Sequence, residues 1–240
     1  MVGTVDLEEF PRPGVTVDLA LMTVTGAGES PELKLLIQPR VEPAGLALPG
    51  RFVRERQTVA QTVDAVLRDK VGIEPSGVVR PRLLRLFDAP DRDSRTWAMS
   101  AAHSVSLREA DSIGAQGDWL RVMPDGRLAG SSSPELLFDH AEIVAAAVAA
   151  LRDRYEVLGR FRGVEADPDG FLDEEFTLHQ LRLVHEAVLG LEGENRMHKD
   201  NFNRRMKDLV EPVLDAKGKP KLSDGLRGRP ATVYRRSTGD

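Results

Sequence analysis

The apolar positions fall into short blocks whose period changes along the chain. Val15 to Val24 (VTVDLALMTV) is an apolar, β-branched run and predicts a buried strand. GAGESPE after it reads as a turn. Leu33 to Gln38 is a second strand, and Gly45 to Gly50 a short third one running into a Pro-Gly turn. Thr58 to Lys70 predicts a helix, because Val59, Val63, Val66 and Leu67 recur at helical spacing. Thr58 suits its start and Gly72 its end. Leu83 to Phe87, Arg95 to Leu107 and Trp119 to Met123 follow as strands. The second of these places Trp97, Met99, Ala101, His103 and Val105 on one face. Pro134 to Leu158 is a long helix carrying Ile143, Val144, Ala147, Val148 and Leu151. The order β-β-β-α-β-β-β-α describes an α+β unit over residues 1–159.

The pattern then changes. Residues 160–175 (RFRGVEADPDGFLDEE) are rich in glycine, proline and acids, and read as a linker. Residues 176–240 form a second unit. Phe176 to Leu189 is a helix with Leu178, Leu181, Val184 and Val188 inward, and GLEGENR is a turn. Asp200 is placed to cap a second helix, Asn201 to Val210, with Phe202, Met206, Leu209 and Val210 inward. Leu214 to Arg236 reads as a β-hairpin with a long basic tip. Helix, turn, basic helix and basic hairpin, in that order, describe a winged helix–turn–helix.

Composition narrows the chemistry. At 240 residues, 41% of them hydrophobic, the chain can build one large domain or two modest ones. It has no cysteine, which excludes disulfides, iron–sulfur clusters, thiolate zinc sites and thiol catalysis. The longest apolar run, Ile143 to Leu151, is far short of the roughly 18 residues that span a bilayer. The acidic, proline-broken start lacks a secretory pattern, so the expectation is a soluble cytoplasmic protein with no membrane partner.

The net charge of −5 conceals a basic block. Residues 196–236 hold 12 Lys and Arg against 5 Asp and Glu. Such a block on an acidic protein is the footprint of a nucleic-acid contact, with a solvated lysine-rich terminus as the alternative. Asn201, Asn203, Arg204, Arg205 and Lys207 point away from the apolar face of the second helix or flank it. Asn pairs with adenine in two places and Arg with guanine, which suits a major groove. Lys217, Lys219, Lys221, Arg227 and Arg229 of the hairpin suit phosphates or a minor groove.

The segment LPGRFVRERQTVAQTVDAVLRDKVGI, Leu48 to Ile73, resembles the Nudix box, G-x5-E-x7-R-E-U-x-E-E-x-G-U, where U is a bulky aliphatic residue. Aligned on Gly72 and Ile73, the first glycine of the box falls on Arg51 and its first glutamate on Gln57. The R-E pair falls on Ala65 and Val66, and the E-E pair on Asp69 and Lys70. The framework is kept and the chemistry is lost. Active boxes gather Mg²⁺ with carboxylates at i, i+3 and i+4 of one helix face. Here those positions are Val66, Asp69 and Lys70, so no metal site and no catalytic residue are expected. Lys70 is instead placed to neutralise a bound diphosphate.

A broken box followed by a winged helix resembles the Nudix-related transcriptional regulator family. PDRDSRTW (Pro90 to Trp97), FTLHQL (Phe176 to Leu181), KDNFNRRM (Lys199 to Met206) and RPATVYR (Arg229 to Arg235) support the resemblance by their order and spacing. It implies a Nudix-like α/β/α sandwich joined to the winged helix. It also implies a homodimeric repressor of NAD biosynthesis or salvage genes, acting on double-stranded operator DNA. The Nudix unit would sense ADP-ribose or a related NAD-derived nucleotide and require no cofactor. Family-like DNA contacts fall on Lys199, Asn201, Asn203, Arg204, Arg205, Lys207, Arg227 and Arg229. The ligand pocket is expected among Arg40, Arg51, Asp69, Lys70, Arg92, Asp93, Arg95 and Trp97, although Trp97 also suits a core. The five histidines share no ligand-like spacing and read as structural or exposed. Two alternatives remain: a divergent Nudix hydrolase with replacement ligands, and a protein-interaction module using the winged helix.

Overall fold

The computed structural model describes residues 10–27, 30–75, 80–130, 135–156, 165–223 and 230–237. Seven strands form one mixed sheet: β1 (Gly14–Thr25), β2 (Glu32–Val41), β3 (Ala44–Ala47), β4 (Gly50–Phe52), β5 (Arg80–Phe87), β6 (Ala98–Leu107) and β7 (Asp118–Arg121). The spatial order is β3-β2-β1-β6-β5, with β4 beside β1 and β7 beside β2. β1 and β6 run parallel, and every other pairing in the sheet is antiparallel.

β1 explains the sandwich. Its side chains alternate between two cores, so the strand is apolar on both faces. Val17, Leu19 and Leu21 pack under helix α1 (Val59–Val66) with Val63, Val66 and Leu67. Ala20, Met22 and Val24 face helix α3 (His140–Tyr155) with Ile143, Val144, Ala147 and Leu151. Thr58 caps α1 in a reciprocal capping box with Gln61. The helix continues as a π-helical turn, Leu67–Val71, and stops at Gly72, whose φ of 78° suits glycine.

Several boundaries differ from the sequence expectation. The strand expected over Gly45 to Gly50 is two strands: β3 pairs with β2, and β4 starts at Gly50 on β1. β6 begins at Ala98, leaving Arg95 and Trp97 in the preceding loop. α3 is shorter than Pro134 to Leu158, because Leu136 forms an isolated bridge with Leu46 and the chain then turns at Leu137–Asp139 before the helix starts at His140. Pro134 and Leu158 themselves lie outside the described residues. A short helix, α2 (Glu109–Ser112), had no signal in the periodicity.

Residues 165–172, expected within a linker, are folded into the core. Ala166, Asp167, Asp169, Phe171 and Leu172 are buried. Their acidity is internal pairing: the Asp169 carboxylate accepts from Arg82, from Ser106 Oγ at 2.6 Å and from Arg154 Nε at 2.9 Å. Asp167 accepts from the Tyr155 hydroxyl at 2.9 Å and from the Phe171 and Leu172 amides. Buried carboxylates persist only when paired in this way.

The C-terminal unit adds β8 (Phe176–Thr177), α4 (Leu178–Leu189), α5 (Lys199–Met206), β9 (Val210–Pro212) and β10 (Val233–Arg236). Its small sheet runs β8-β10-β9. α4 starts at a Thr177–Gln180 capping box and ends at Gly190 in the left-handed region. α5 begins one residue before the expected cap: His198 stands at the cap, and Asp200 lies in the first turn. Val210, expected in that helix, opens β9. Leu181, Val184, Phe202 and Met206 join the core of α3, so the two units share one apolar interior.

Candidate functional site

Two surfaces carry the predicted chemistry. The first is an open cleft of about 550 Å³ over β1, β2 and β4, closed on one side by the loop before β6 and the start of α3. Six predicted residues meet there: Arg40, Arg51, Lys70, Arg92, Asp93 and Arg95. Asp69 and Trp97 do not line it. Asp69 is 56% exposed and reaches the cleft only through Arg51, whose Nη1 donates to Asp69 Oδ2 at 2.8 Å. Trp97 is 43% exposed in the loop before β6, and its carbonyl accepts from the Gly14 amide. Neither its core nor its ligand role matches that position.

The cleft residues differ in what they offer. Arg92 is a strut: its Nε and Nη2 donate to Asp139 at 2.7 and 2.6 Å, and its side chain is buried. It pins its loop to the start of α3. Arg95 is paired in two places with Asp93, at 2.9 and 2.7 Å. That hydrogen bonding holds the Asp93 carboxyl below its usual range. Arg51 has only the exposed Asp69 as its ion-pair partner among the described residues, and Lys70 opens on the same cleft. Gln38 Nε2 donates to the Lys70 carbonyl at 2.6 Å and so ties the π-helical turn to β2. Asp69 is the exposed member of this pair and can turn to solvent, which leaves the half-buried Arg51 to an incoming anion.

The floor was missed by the sequence reading. Asp18 accepts from Ser100 Oγ at 2.6 Å and Thr16 Oγ1 at 3.0 Å, and lies 3.5 Å from Arg92 Nη2. His140, read as structural or exposed, is buried in the cleft wall. Its Nδ1 accepts from the Leu48 amide at 2.9 Å, which places the proton on Nε2, 3.6 Å from Asp18. Burial opposes ionisation of Asp18, but His140, the Ser100 hydroxyl and Arg92 outweigh it and hold the carboxyl below its usual range. The signal was present: an acid at the centre of the apolar run VTVDLALMTV has no reason to be there without partners. Gly50 completes the floor, since a Cβ there would fall 2.0 Å from Asp18 Oδ1.

The box positions separate in space. Val66 is sealed in the apolar cluster under α1, so it does not share a cleft-facing side with Lys70. The π-helical turn between them adds to the departure from i, i+3, i+4 geometry. Among the described residues no group of three His, Asp or Glu side chains is arranged to hold a metal ion. The cleft offers guanidinium and ammonium groups for a polyanion.

The second surface is α5 and its hairpin. Phe202 and Met206 are buried, and Lys199, Asn201, Arg204, Arg205 and Lys207 are exposed. Asn203 is half-buried. Arg204 Nη2 donates to Asn201 Oδ1 at 3.1 Å, which ties the two exposed side chains together. Asn201 and Arg205 also border an apolar hollow of about 430 Å³ walled by Leu189, Leu191 and Phe202, so they flank the helix rather than crown it. Lys217 and Lys219 are exposed at a turn that Asp215 organises by accepting from both their amides. Lys221 is paired with Glu175 at 2.5 Å. Arg227 and Arg229 lie outside the described residues. Among the described residues no helix is long and apolar enough to cross a membrane.

Comparison with known proteins fits this architecture. Residues 170–236 match the family model of the NrtR DNA-binding winged helix domain. No curated protein matches the chain. Among solved structures, a MutT/nudix family protein from Enterococcus faecalis superposes with a TM-score of 0.73 at 22% identity, covering 97% of this chain and 90% of that one. Shewanella oneidensis NrtR superposes with a TM-score of 0.67 at 24% identity, covering 93% and 94%. The same protein complexed with a 27mer DNA gives 0.68, at 24% identity and 93% coverage of each chain. The chain therefore has the Nudix-plus-winged-helix fold, and residues 170–236 are an NrtR-type winged helix domain.

Proposed function

We propose that this chain is a DNA-binding transcriptional regulator, a repressor of NAD biosynthesis or salvage genes. Its Nudix-like unit senses ADP-ribose or a related NAD-derived nucleotide in the cytoplasm and hydrolyses nothing. The observation that carries the reading is the pairing of an NrtR-type winged helix domain with a cationic cleft at a box that keeps only one of its carboxylates, Asp69. Arg51 and Lys70 take the diphosphate charge that Mg²⁺ takes in an active box, so binding needs no metal. Arg204, Arg205 and their neighbours on α5 enter the major groove, and the hairpin lysines hold phosphates. The MutT/nudix relative and the NrtR bound to DNA match this chain in fold, which accords with the reading.

The regulator acts as a homodimer on two half-sites about one helical turn apart, or a multiple of that. Ligand relieves repression by binding better to a dimer whose recognition helices are mis-spaced. Helix α3 supports a route for this. His140 at its start lines the cleft, and Asp139 before it is clamped by Arg92. Tyr155 at its end meets His185 of α4 edge-on at 4.8 Å, and His185 meets Phe202 of α5 at 5.1 Å.

The test is a gel shift on DNA upstream of the chain's own gene and neighbouring NAD-metabolism genes, with and without ADP-ribose. A specific shift that the nucleotide alters is the expected result. No specific shift at moderate salt overturns the regulator reading, because phosphate contacts weaken steeply with salt. Mg²⁺-dependent release of AMP from ADP-ribose would restore the hydrolase alternative.

A further inference from the structure

A group of basic side chains joins the starts of the two helices of the winged unit. His179 lies in the first turn of α4, Arg182 follows three residues on, and Lys199 opens α5. His179 and Lys199 are exposed, and Arg182 is half-buried. Arg182 Nη2 stands 3.3 Å from His179 Nδ1. A guanidinium can only donate, so Nδ1 accepts, and the ring is neutral with its proton on Nε2. Arg182 is anchored on its far side. Its Nη1 donates to the buried Glu186, whose Oε1 also accepts from the Met197 amide at 3.0 Å in the turn before α5.

The charged groups that face His179 are Arg182 and Glu186 of its own helix and Lys199 of α5. Partial desolvation, then Arg182 and Lys199, push the ring below the usual histidine range, and Glu186 only partly opposes them. The free protein therefore presents two cations and a neutral ring whose acceptor nitrogen is turned to one of them. An anion reverses that balance. A phosphate oxygen accepts from Arg182 and Lys199, and from His179 Nδ1 once that atom has gained a proton. One N–H···N contact then gives way to charge-assisted N–H···O bonds. The first helix of a helix–turn–helix crosses the DNA backbone while the second enters the groove, so this face of α4 meets phosphate.

We propose that His179, Arg182 and Lys199 form a proton-linked seat for one phosphate of the DNA backbone, in which binding draws a proton from solvent onto His179 Nδ1. The assignment rests on the winged helix being the DNA reader. It adds a contact from α4 and makes the affinity depend on pH. The free ring is neutral and the bound ring charged, so acid favours the complex and affinity falls as pH rises.

The experiment is fluorescence anisotropy of the full chain on a labelled duplex from upstream of its own gene. It is run at constant ionic strength between about pH 6 and 8, with circular dichroism checking the fold at each pH. Wild-type affinity should tighten by about threefold or more per unit as pH falls, about tenfold being the limit for one proton. His179→Gln should lose this gain and give a flat profile. His198→Gln, which changes the exposed histidine before α5, should keep the wild-type slope. Calorimetry of the wild type in two buffers of different ionisation enthalpy should register proton uptake near about pH 7, a readout that needs no variant. A flat wild-type profile, a slope retained in His179→Gln or lost in His198→Gln, or no proton uptake would overturn the proposal and leave the DNA reader in place. Wild-type protein that binds the duplex at no pH would overturn the reader itself.

Discussion

Replacing Asp169 by Asn tests whether the acidic stretch before the winged helix is a latch. Asp169 is fully buried and is shared by Arg82 on β5, Ser106 on β6 and Arg154 on α3. The amide of Asn keeps the shape, removes the charge and turns one acceptor into a donor that faces guanidinium groups. Breaking a fully buried ion pair costs about 3–5 kcal/mol, because the partner charge is stranded. Arg82 and Arg154 are 33% and 24% exposed, so they regain part of their hydration and the cost falls toward the lower end, about 3 kcal/mol. A chain of this size loses about 2–4 °C in Tm per kcal/mol, which gives a drop of roughly 6–12 °C. The assay is thermal unfolding followed by circular dichroism at neutral pH. Glu174→Gln, exposed in the same stretch, is the control and should move Tm by about 1 °C at most. An Asp169→Asn variant that melts with the control would refute the latch and return residues 165–172 to the status of a linker.

Three further outcomes are expected. His185 is buried, with Nε2 against the Ala166 carbonyl, and burial pushes its pKa below the usual histidine range. The folded form therefore favours neutral His185, so its contribution to stability is present above about pH 6.5 and is lost as pH falls through the lowered folded-state value. Urea titrations of wild type and His185→Phe between about pH 5 and 8 should show a steeper acid loss in wild type, and parallel curves would contradict it. Gly50→Ala drives a methyl into Asp18 Oδ1 and should destabilise by about 1–3 kcal/mol as an overpacked site while abolishing ADP-ribose binding, read by denaturation and calorimetry. Arg204→Ala with Arg205→Ala should remove specific operator binding with the circular dichroism spectrum unchanged. A folded double variant with wild-type affinity would refute α5 as the reader.

Periodicity determined the elements that bury one continuous apolar face. β1, α1, α3 and α4 were legible because their apolar residues repeat at strand or helix spacing without interruption. The broken box and the basic block were legible as well, because each is written in consecutive residues. The cleft was half legible: Arg40, Arg51 and Lys70 border the box, and Arg92, Asp93 and Arg95 form one short loop. Its floor depended on tertiary structure, since Asp18, Ser100 and His140 are far apart in sequence and meet only when β1, β6 and α3 pack together. The same holds for residues 165–172. Glycine, proline and acids describe a loop locally, and only the arrival of Arg82 and Arg154 from other elements turns those carboxylates into buried counter-charges. Local sequence carries local energies. Charge pairing across the fold is decided by which distant groups the packing brings within reach, and that is a property of the tertiary structure alone.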